Sequence, residues 1–83
     1  MNATENRIAN ISIVIRDKTA APAVNDILGR HGDVIHGRLG MPYPSRGISI
    51  ITILVDADNA RIGAISGALG NVPGVTLRST MLV

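Results

Sequence analysis

The sequence predicts an α+β domain in which two helices cover one face of a four-stranded antiparallel sheet. Four segments rich in β-branched residues alternate with two segments of helical periodicity, in the order βαββαβ. The two halves also resemble each other, because residues 11–17 are similar to residues 50–56 and each segment precedes a helix. With 83 residues, the chain has room for a single domain.

Before residue 34 the chain is predicted to form one strand and one helix. Residues 8–15 alternate and are rich in isoleucine and valine, which is typical of a strand. Pro22 fits the first turn of a helix, and Gly32 is expected to end that helix in a left-handed conformation. Residues 1–6 show no apolar pattern, so we expect a disordered tail before a domain that spans residues 7–83.

The second predicted strand, residues 34–41, is weaker than the first. Gly37 and Gly40 interrupt it, and glycine inside a strand usually marks a bulge or a close backbone approach. Pro42 and Pro44 are expected to end this strand.

The third strand, residues 48–55, is apolar on both faces, as expected of a central strand. Asp58 can cap the second helix, which Gly70 can end. Gly63 and Gly67 lie four residues apart on one face of this helix, so we expect its backbone to pack closely against another element.

A last strand is predicted over residues 75–82. Because parallel crossover connections are right-handed, two interleaved βαβ units place both helices on the same face of the sheet. The sequence therefore predicts a ferredoxin-like arrangement.

Such a sheet has one face that no helix covers. Whichever face this is, alternation leaves three apolar side chains of the third strand on it. Exposed apolar patches usually mark partner surfaces, and a small aliphatic core gains stability from association. We therefore expect a homodimer or homotetramer. The predicted interface residues are Val14, Ile48, Ile50 and Leu54.

Composition excludes several classes of protein. Without cysteine there are no disulfides and no thiolate metal sites, which favours a cytoplasmic location. No apolar stretch approaches the roughly 20 residues of a membrane span. The eight cationic residues are scattered among six acidic ones, which argues against direct nucleic-acid binding.

The sequence offers little for catalysis or metal binding. His31 and His36 lack a convincing nucleophile or carboxylate partner, so we expect no enzyme, and His31 is interpreted as a partly buried helix end. His36 is a weak candidate ligand, together with Asp33, for a metal shared between subunits, and no metal or cofactor is predicted. Asp56 and Asp58 are interpreted as a solvated strand end and a helix cap rather than an acid–base pair.

Three segments resemble the iron-only hydrogenase system regulator family. They are Gly-Arg-Leu-Gly-Met-Pro-Tyr at residues 37–43, Gly-Ile-Ser-Ile-Ile at residues 47–51 and Ser-Gly-Ala-Leu-Gly-Asn-Val-Pro-Gly-Val at residues 66–75. The resemblance extends from about Arg7 over nearly the whole chain. It implies an ACT-like domain, similar in shape to the ligand-sensing half of the nickel-responsive repressor, and a regulatory role, including transcriptional regulation, beside the hydrogenase. Unlike that repressor, the chain shows no ribbon-helix-helix segment and no cysteine, which argues against autonomous DNA binding and nickel sensing.

The resemblance also implies where an effector would bind. ACT-type domains hold effectors near the loop after the first strand and at subunit interfaces. Glycines of the second strand would permit close backbone approach, and Arg38 is either an anion ligand or an edge-strand charge that discourages unwanted pairing. The predicted effector-binding residues are Asp17, Lys18, Thr19, Gly37, Arg38 and Gly40. A protein–protein adaptor that senses no ligand is the alternative function.

Overall fold

A computed structural model of the protein describes residues 5–83. Within this range one antiparallel sheet has the strand order β2-β3-β1-β4. The elements are β1 (Arg7–Ile15), α1 (Ala21–Arg30), β2 (Ile35–Tyr43), β3 (Ile48–Ala57), α2 (Asn59–Gly70) and β4 (Val75–Met81), with short 3-10 turns at Lys18–Ala20 and Pro44–Arg46. This order and pairing confirm the predicted α+β, ferredoxin-like fold. Most of the predicted tail lies outside the described residues, and Glu5 and Asn6 precede β1 without regular structure.

The core lies between the helices and one face of β1 and β3. These central strands pair in continuous register from Arg7 opposite Ala57 to Ile15 opposite Ser49, so alternate residues of both strands point to the same side. Ile11 and Ile13 of β1 and Ile53 of β3 are almost completely buried. The helices contribute Val24, Ile27, Leu28, Ile62, Ile65 and Leu69 to this core. No polar or charged residue in the described range is buried there.

The β2 strand runs further than the sequence suggests. Pro42 and Tyr43 continue the pairing with β3, opposite Ser49 and Ile48, so the prediction that Pro42 ends the strand was wrong. Proline has no N–H to donate to a neighbouring strand. Because β2 lies at the edge of the sheet and has a neighbour on one side only, it can accommodate Pro42. The register shifts between Ile35 and Gly37, where the glycine-bearing segment forms an irregularity.

The helix ends follow the predictions only in part. Asp58 caps α2 as predicted, because its Oδ1 accepts the backbone N–H of Arg61 at 2.8 Å. Gly32 is not left-handed, since positive φ angles in the described chain occur only at Gly47 and Gly74. The C-terminal end of α1 is closed instead by the N–H of His31, which donates to the carbonyl of Leu28.

The predicted close packing of the α2 backbone is also wrong. A Cβ added at Gly63 or Gly67 would meet no heavy atom within 4 Å, and both residues are exposed. The buried face of α2 is formed by Ile62, Ile65 and Leu69, and the glycines lie on its outer side. No helix in residues 5–83 is long and apolar enough to cross a bilayer.

Candidate functional site

The predicted effector loop begins at the end of β1. The Oδ1 atom of Asp17 accepts hydrogen bonds from the backbone N–H of Thr19 at 2.9 Å and from its hydroxyl at 2.8 Å. These bonds lower the pKa of Asp17, with the backbone bond as the larger cause. Asp17 and Thr19 therefore satisfy each other and fix the Lys18–Ala20 turn.

The turn before β4 holds this loop from the other side. The backbone N–H of Arg16 donates to the carbonyl of Gly74 at 2.7 Å. Gly74 has a φ of 82°, and a Cβ at this position would lie 2.7 Å from the Cβ of Asp17. No local pattern in the sequence predicts this contact, because the two segments meet only through the pairing of β1 with β4.

A cleft of about 370 Å³ opens beside Lys18, between the start of α1 and the loop at residues 44–47. Its lining residues are Ile15, Lys18, Ala21, Pro42, Pro44, Gly47, Ile48 and Ser49. The walls are largely apolar, and Lys18 is their only charged residue. Of the six predicted effector residues, only Lys18 lines this cleft.

The predicted effector residues on β2 lie elsewhere. Arg38 pairs with Ile53 and therefore points to the helix side, where its Nη2 donates to Oδ1 of Asn25 at 2.6 Å. Gly37 pairs with Leu54, and a Cβ added to it would contact that side chain on the opposite face. Nothing lies within 4 Å of a Cβ added at Gly40. The structure thus separates this group from the β1–α1 loop, and a role of these residues in effector binding stays a prediction.

The four predicted interface residues share the sheet face that the helices do not cover. Ile50 pairs with Val14 on one side and with Met41 on the other, which places all three on this face. The edge strand β2 adds three side chains that were not predicted to lie there: Leu39, Met41 and Tyr43 are 58%, 45% and 39% exposed. Their alternation was visible in the sequence, but the flanking glycines and Pro42 obscured it. We call the whole set the open apolar surface: Val14, Leu39, Met41, Tyr43, Ile48, Ile50 and Leu54.

A polar cluster adjoins the open apolar surface at the centre of the sheet. The Asn10 Nδ2 atom donates to Oγ1 of Thr52 at 2.8 Å and to the carbonyl of Ile53 at 3.2 Å. The Ser12 hydroxyl donates to Oδ1 of Asn10 at 3.1 Å. Because these groups form hydrogen bonds with one another, part of their hydrogen-bonding capacity is satisfied without water or a partner protein.

An ion pair joins the end of α1 to the start of α2. Arg61 donates from Nη1 and Nη2 to the two carboxylate oxygens of Asp33, at 2.9 and 2.6 Å, and from Nε to Nδ1 of His31 at 3.2 Å. The hydrogen bonds from Arg61 lower the pKa of Asp33, and the same pairing raises that of Arg61. Asp33 is thus engaged away from the exposed His36, its suggested metal-binding partner. No three potential ligand residues cluster within residues 5–83.

The family model described as "TM1266-like: Iron-only hydrogenase system regulator, putative" matches residues 7–79. The chain belongs to this family. A solved structure of the uncharacterized protein TM1266 from Thermotoga maritima is 32% identical, covers 95% of this chain and 100% of its own, and superposes with a TM-score of 0.91. The resemblance seen in the sequence is therefore confirmed.

Two more distant structures share the fold. The C-terminal domain of MgtC from Mycobacterium tuberculosis is 13% identical, with coverage of 92% of this chain and 87% of its own and a TM-score of 0.71. The protein CPII from Thiomonas intermedia K12, bound to ADP, AMP and acetate, is 12% identical. The match covers 96% of this chain and 91% of CPII, with a TM-score of 0.51. No curated protein matches the sequence significantly.

Proposed function

We propose that the protein is a ligand-sensing regulatory module of the iron-only hydrogenase system that works as a homo-oligomer in the cytoplasm. The family description supports a regulator rather than an enzyme. The proposal of an oligomer rests on the open apolar surface, where Leu39 is 58% and Leu54 is 42% exposed. A contiguous apolar patch on a sheet face is typical of an interaction site.

A second copy of the chain suits this surface for two physical reasons. Small domains bury only about 60% of their unfolded surface, so covering apolar side chains adds stability that the aliphatic core lacks. In addition, burial of a polar group is costly only when its hydrogen bonds are lost. The cluster of Asn10, Ser12 and Thr52 keeps its internal bonds on burial, so a partner can cover it together with the apolar residues. A two-fold dimer would pair the surface with itself.

An effect on transcription would pass through a partner rather than through direct DNA contact. The basic residues are dispersed over the strands, helices and loops, with Arg61 and Arg30 engaged by Asp33 and Asp26. Tight phosphate binding requires cations on one stripe or helix. The regulatory signal is therefore proposed to be a change in assembly or in protein binding.

Sedimentation velocity over a concentration series tests the oligomer. The wild-type chain should sediment as a dimer or tetramer at micromolar concentration, and Leu54→Glu should yield a folded monomer. The matched control is Ala64→Glu, which places the same charge on an exposed site of α2 and should leave the assembly intact. A folded wild-type monomer would overturn the homo-oligomer and favour the adaptor function, in which a different protein covers this surface.

Ligand sensing is tested by the melting temperature of the protein with amino acids, nucleotides and divalent metals. A ligand that binds only the folded state raises the melting temperature, and the stabilisation grows with the logarithm of the ratio of ligand concentration to dissociation constant. A rise with at least one class of compound is expected. A flat response across the whole panel would contradict sensing.

A further inference from the structure

The cleft beside Lys18 has the composition of a small-molecule site. We propose that it binds a small organic anion that has an apolar body. This inference rests on the proposed sensing function and specifies the ligand class and the site. Of the residues that line the cleft, only Ile48 also belongs to the open apolar surface, so each proposal can fail alone.

The residues that line the cleft indicate that the body of the ligand is apolar. Ile15, Pro42, Pro44 and Ile48 present hydrocarbon to the cleft, and its volume of about 370 Å³ falls in the range of small-molecule pockets. Ala21 at the start of α1 is small and leaves the space open. An apolar group placed here would displace water from hydrocarbon on several sides.

The charge of the ligand follows from Lys18. Its ammonium is the only charged group of the lining, and Lys18 forms none of the ion pairs found within residues 5–83. The neighbouring carboxylate of Asp17 is held by Thr19 in the adjoining turn. Lys18 is thus free to meet a carboxylate or similar anion at the mouth of the cleft, where an opposite charge beside apolar walls is favourable.

The side of the cleft opposite Lys18 is built rigidly. Gly47 adopts a φ of 66° after the Pro44–Arg46 turn, and its N–H donates to the carbonyl of Pro44 at 3.1 Å. Pro44 restricts the backbone within this turn, and Pro42 restricts it two residues earlier, near the end of β2. A site whose walls are fixed before binding loses less conformational entropy when a ligand enters.

Lys18 is the only lysine in the chain, which gives the test a direct probe. Reductive ¹³C-methylation keeps the positive charge and labels this side chain together with the terminal amine. Butyrate, hexanoate and benzoate are titrated against the labelled protein, with their neutral amides as matched controls. The expected result is a saturable shift of the Lys18 methyl signal, with an acid bound about tenfold more tightly than its amide.

Three variants locate the site by calorimetry with the same acids. Lys18→Gln should weaken binding about tenfold and abolish the preference for acid over amide. Arg46→Gln removes the same charge from the neighbouring loop without touching the cleft lining, and should leave that preference intact. Ala21→Met should fill the cleft and block binding while Lys18 is retained.

Two results would overturn the proposal. One is equal binding by wild type and Lys18→Gln, and the other is no saturable binding of any acid to the wild type. Sedimentation of the same samples separates the two proposals, because loss of acid binding with an intact oligomer contradicts only the cleft. Acid binding by a folded monomer contradicts only the assembly.

Discussion

The two faces of β1 and β3 differ although the same strands form them. Ile53 and Leu54 are neighbours in β3, yet Ile53 is 1% exposed and Leu54 is 42% exposed. The buried residues of the helix-covered face are all apolar, whereas the open face combines apolar side chains with the hydrogen-bonded group around Asn10. Packing within one subunit explains the covered face. The exposed apolar residues of the open face gain little from packing within one subunit, and the proposed interaction would bury them.

The largest expected effect distinguishes the two faces directly. Ile53→Ala should lower the free energy of unfolding by about 3 kcal/mol, because it leaves a cavity in a closely packed core. Leu54→Ala removes a similar volume from an exposed site and should cost less than about 1 kcal/mol in the monomer. Urea unfolding at low protein concentration measures both. Equal losses would show that the open face contributes to the fold as much as the covered face does.

A smaller effect tests the turn that anchors the end of the sheet. Gly74→Ala should destabilise the protein by about 2 kcal/mol, because it combines a positive φ with an overlap against Asp17. Gly47→Ala is the matched variant, since its φ is also positive but its surroundings are open, and it should cost about 1 kcal/mol. Thermal unfolding of both variants measures the difference in their stability. A cost at Gly47 that equals or exceeds the cost at Gly74 would contradict the contact with Asp17.

The polar cluster of the open face should contribute about 1 kcal/mol to the free energy of unfolding. Thr52→Val keeps the shape of the side chain but removes the acceptor of the bond from Asn10. Thr76→Val alters an exposed threonine of β4 on the same face and should have almost no effect. Chemical denaturation at matched protein concentration compares the two. Similar free energies of unfolding for both variants would show that the cluster adds no stability.

The smallest expected effect is a pH dependence at the junction of the helices. Because Arg61 lowers the pKa of Asp33 in the folded state, this ion pair stabilises the fold above the ordinary aspartate pKa of about 3.8. That contribution is lost as the pH falls through the lower folded value. Asp33→Asn and Arg61→Gln should each flatten the acid limb of the stability curve, and the double variant should add little. Additive effects would indicate that the two groups act independently.

The sequence was sufficient for the architecture because periodicity reports directly on burial. The alternation of residues 8–15 and the double-sided apolar pattern of residues 48–55 predicted the central strands that the structure contains. Errors arose where a local rule depended on tertiary surroundings. Proline ends a strand unless that strand lies at an edge, as Pro42 does, and glycine in a helix implies close packing only if a neighbour is present.

The candidate site was less predictable because its parts come from distant segments. Lys18 was recognised through the family resemblance, but the facing wall at residues 44–47 depends on how β2 and β3 join. The pair of Arg61 and Asp33 spans 28 positions in sequence, and no local pattern indicates it. The alternation in β2 could have revealed Leu39 and Met41 within the predicted strand, and Tyr43 if the strand had been extended through Pro42.

The strand order also has a consequence for how the chain reaches its native state. The central strand β1 is flanked by β3 and β4, both of which come much later along the chain. Its two ladders must therefore close long loops, which makes folding slow relative to helical proteins of the same size. Until then both edges of an isoleucine-rich strand remain open to pairing with other chains. Asn10 and Ser12 interrupt its apolar run at alternate positions, which reduces the tendency of the unfolded chain to aggregate.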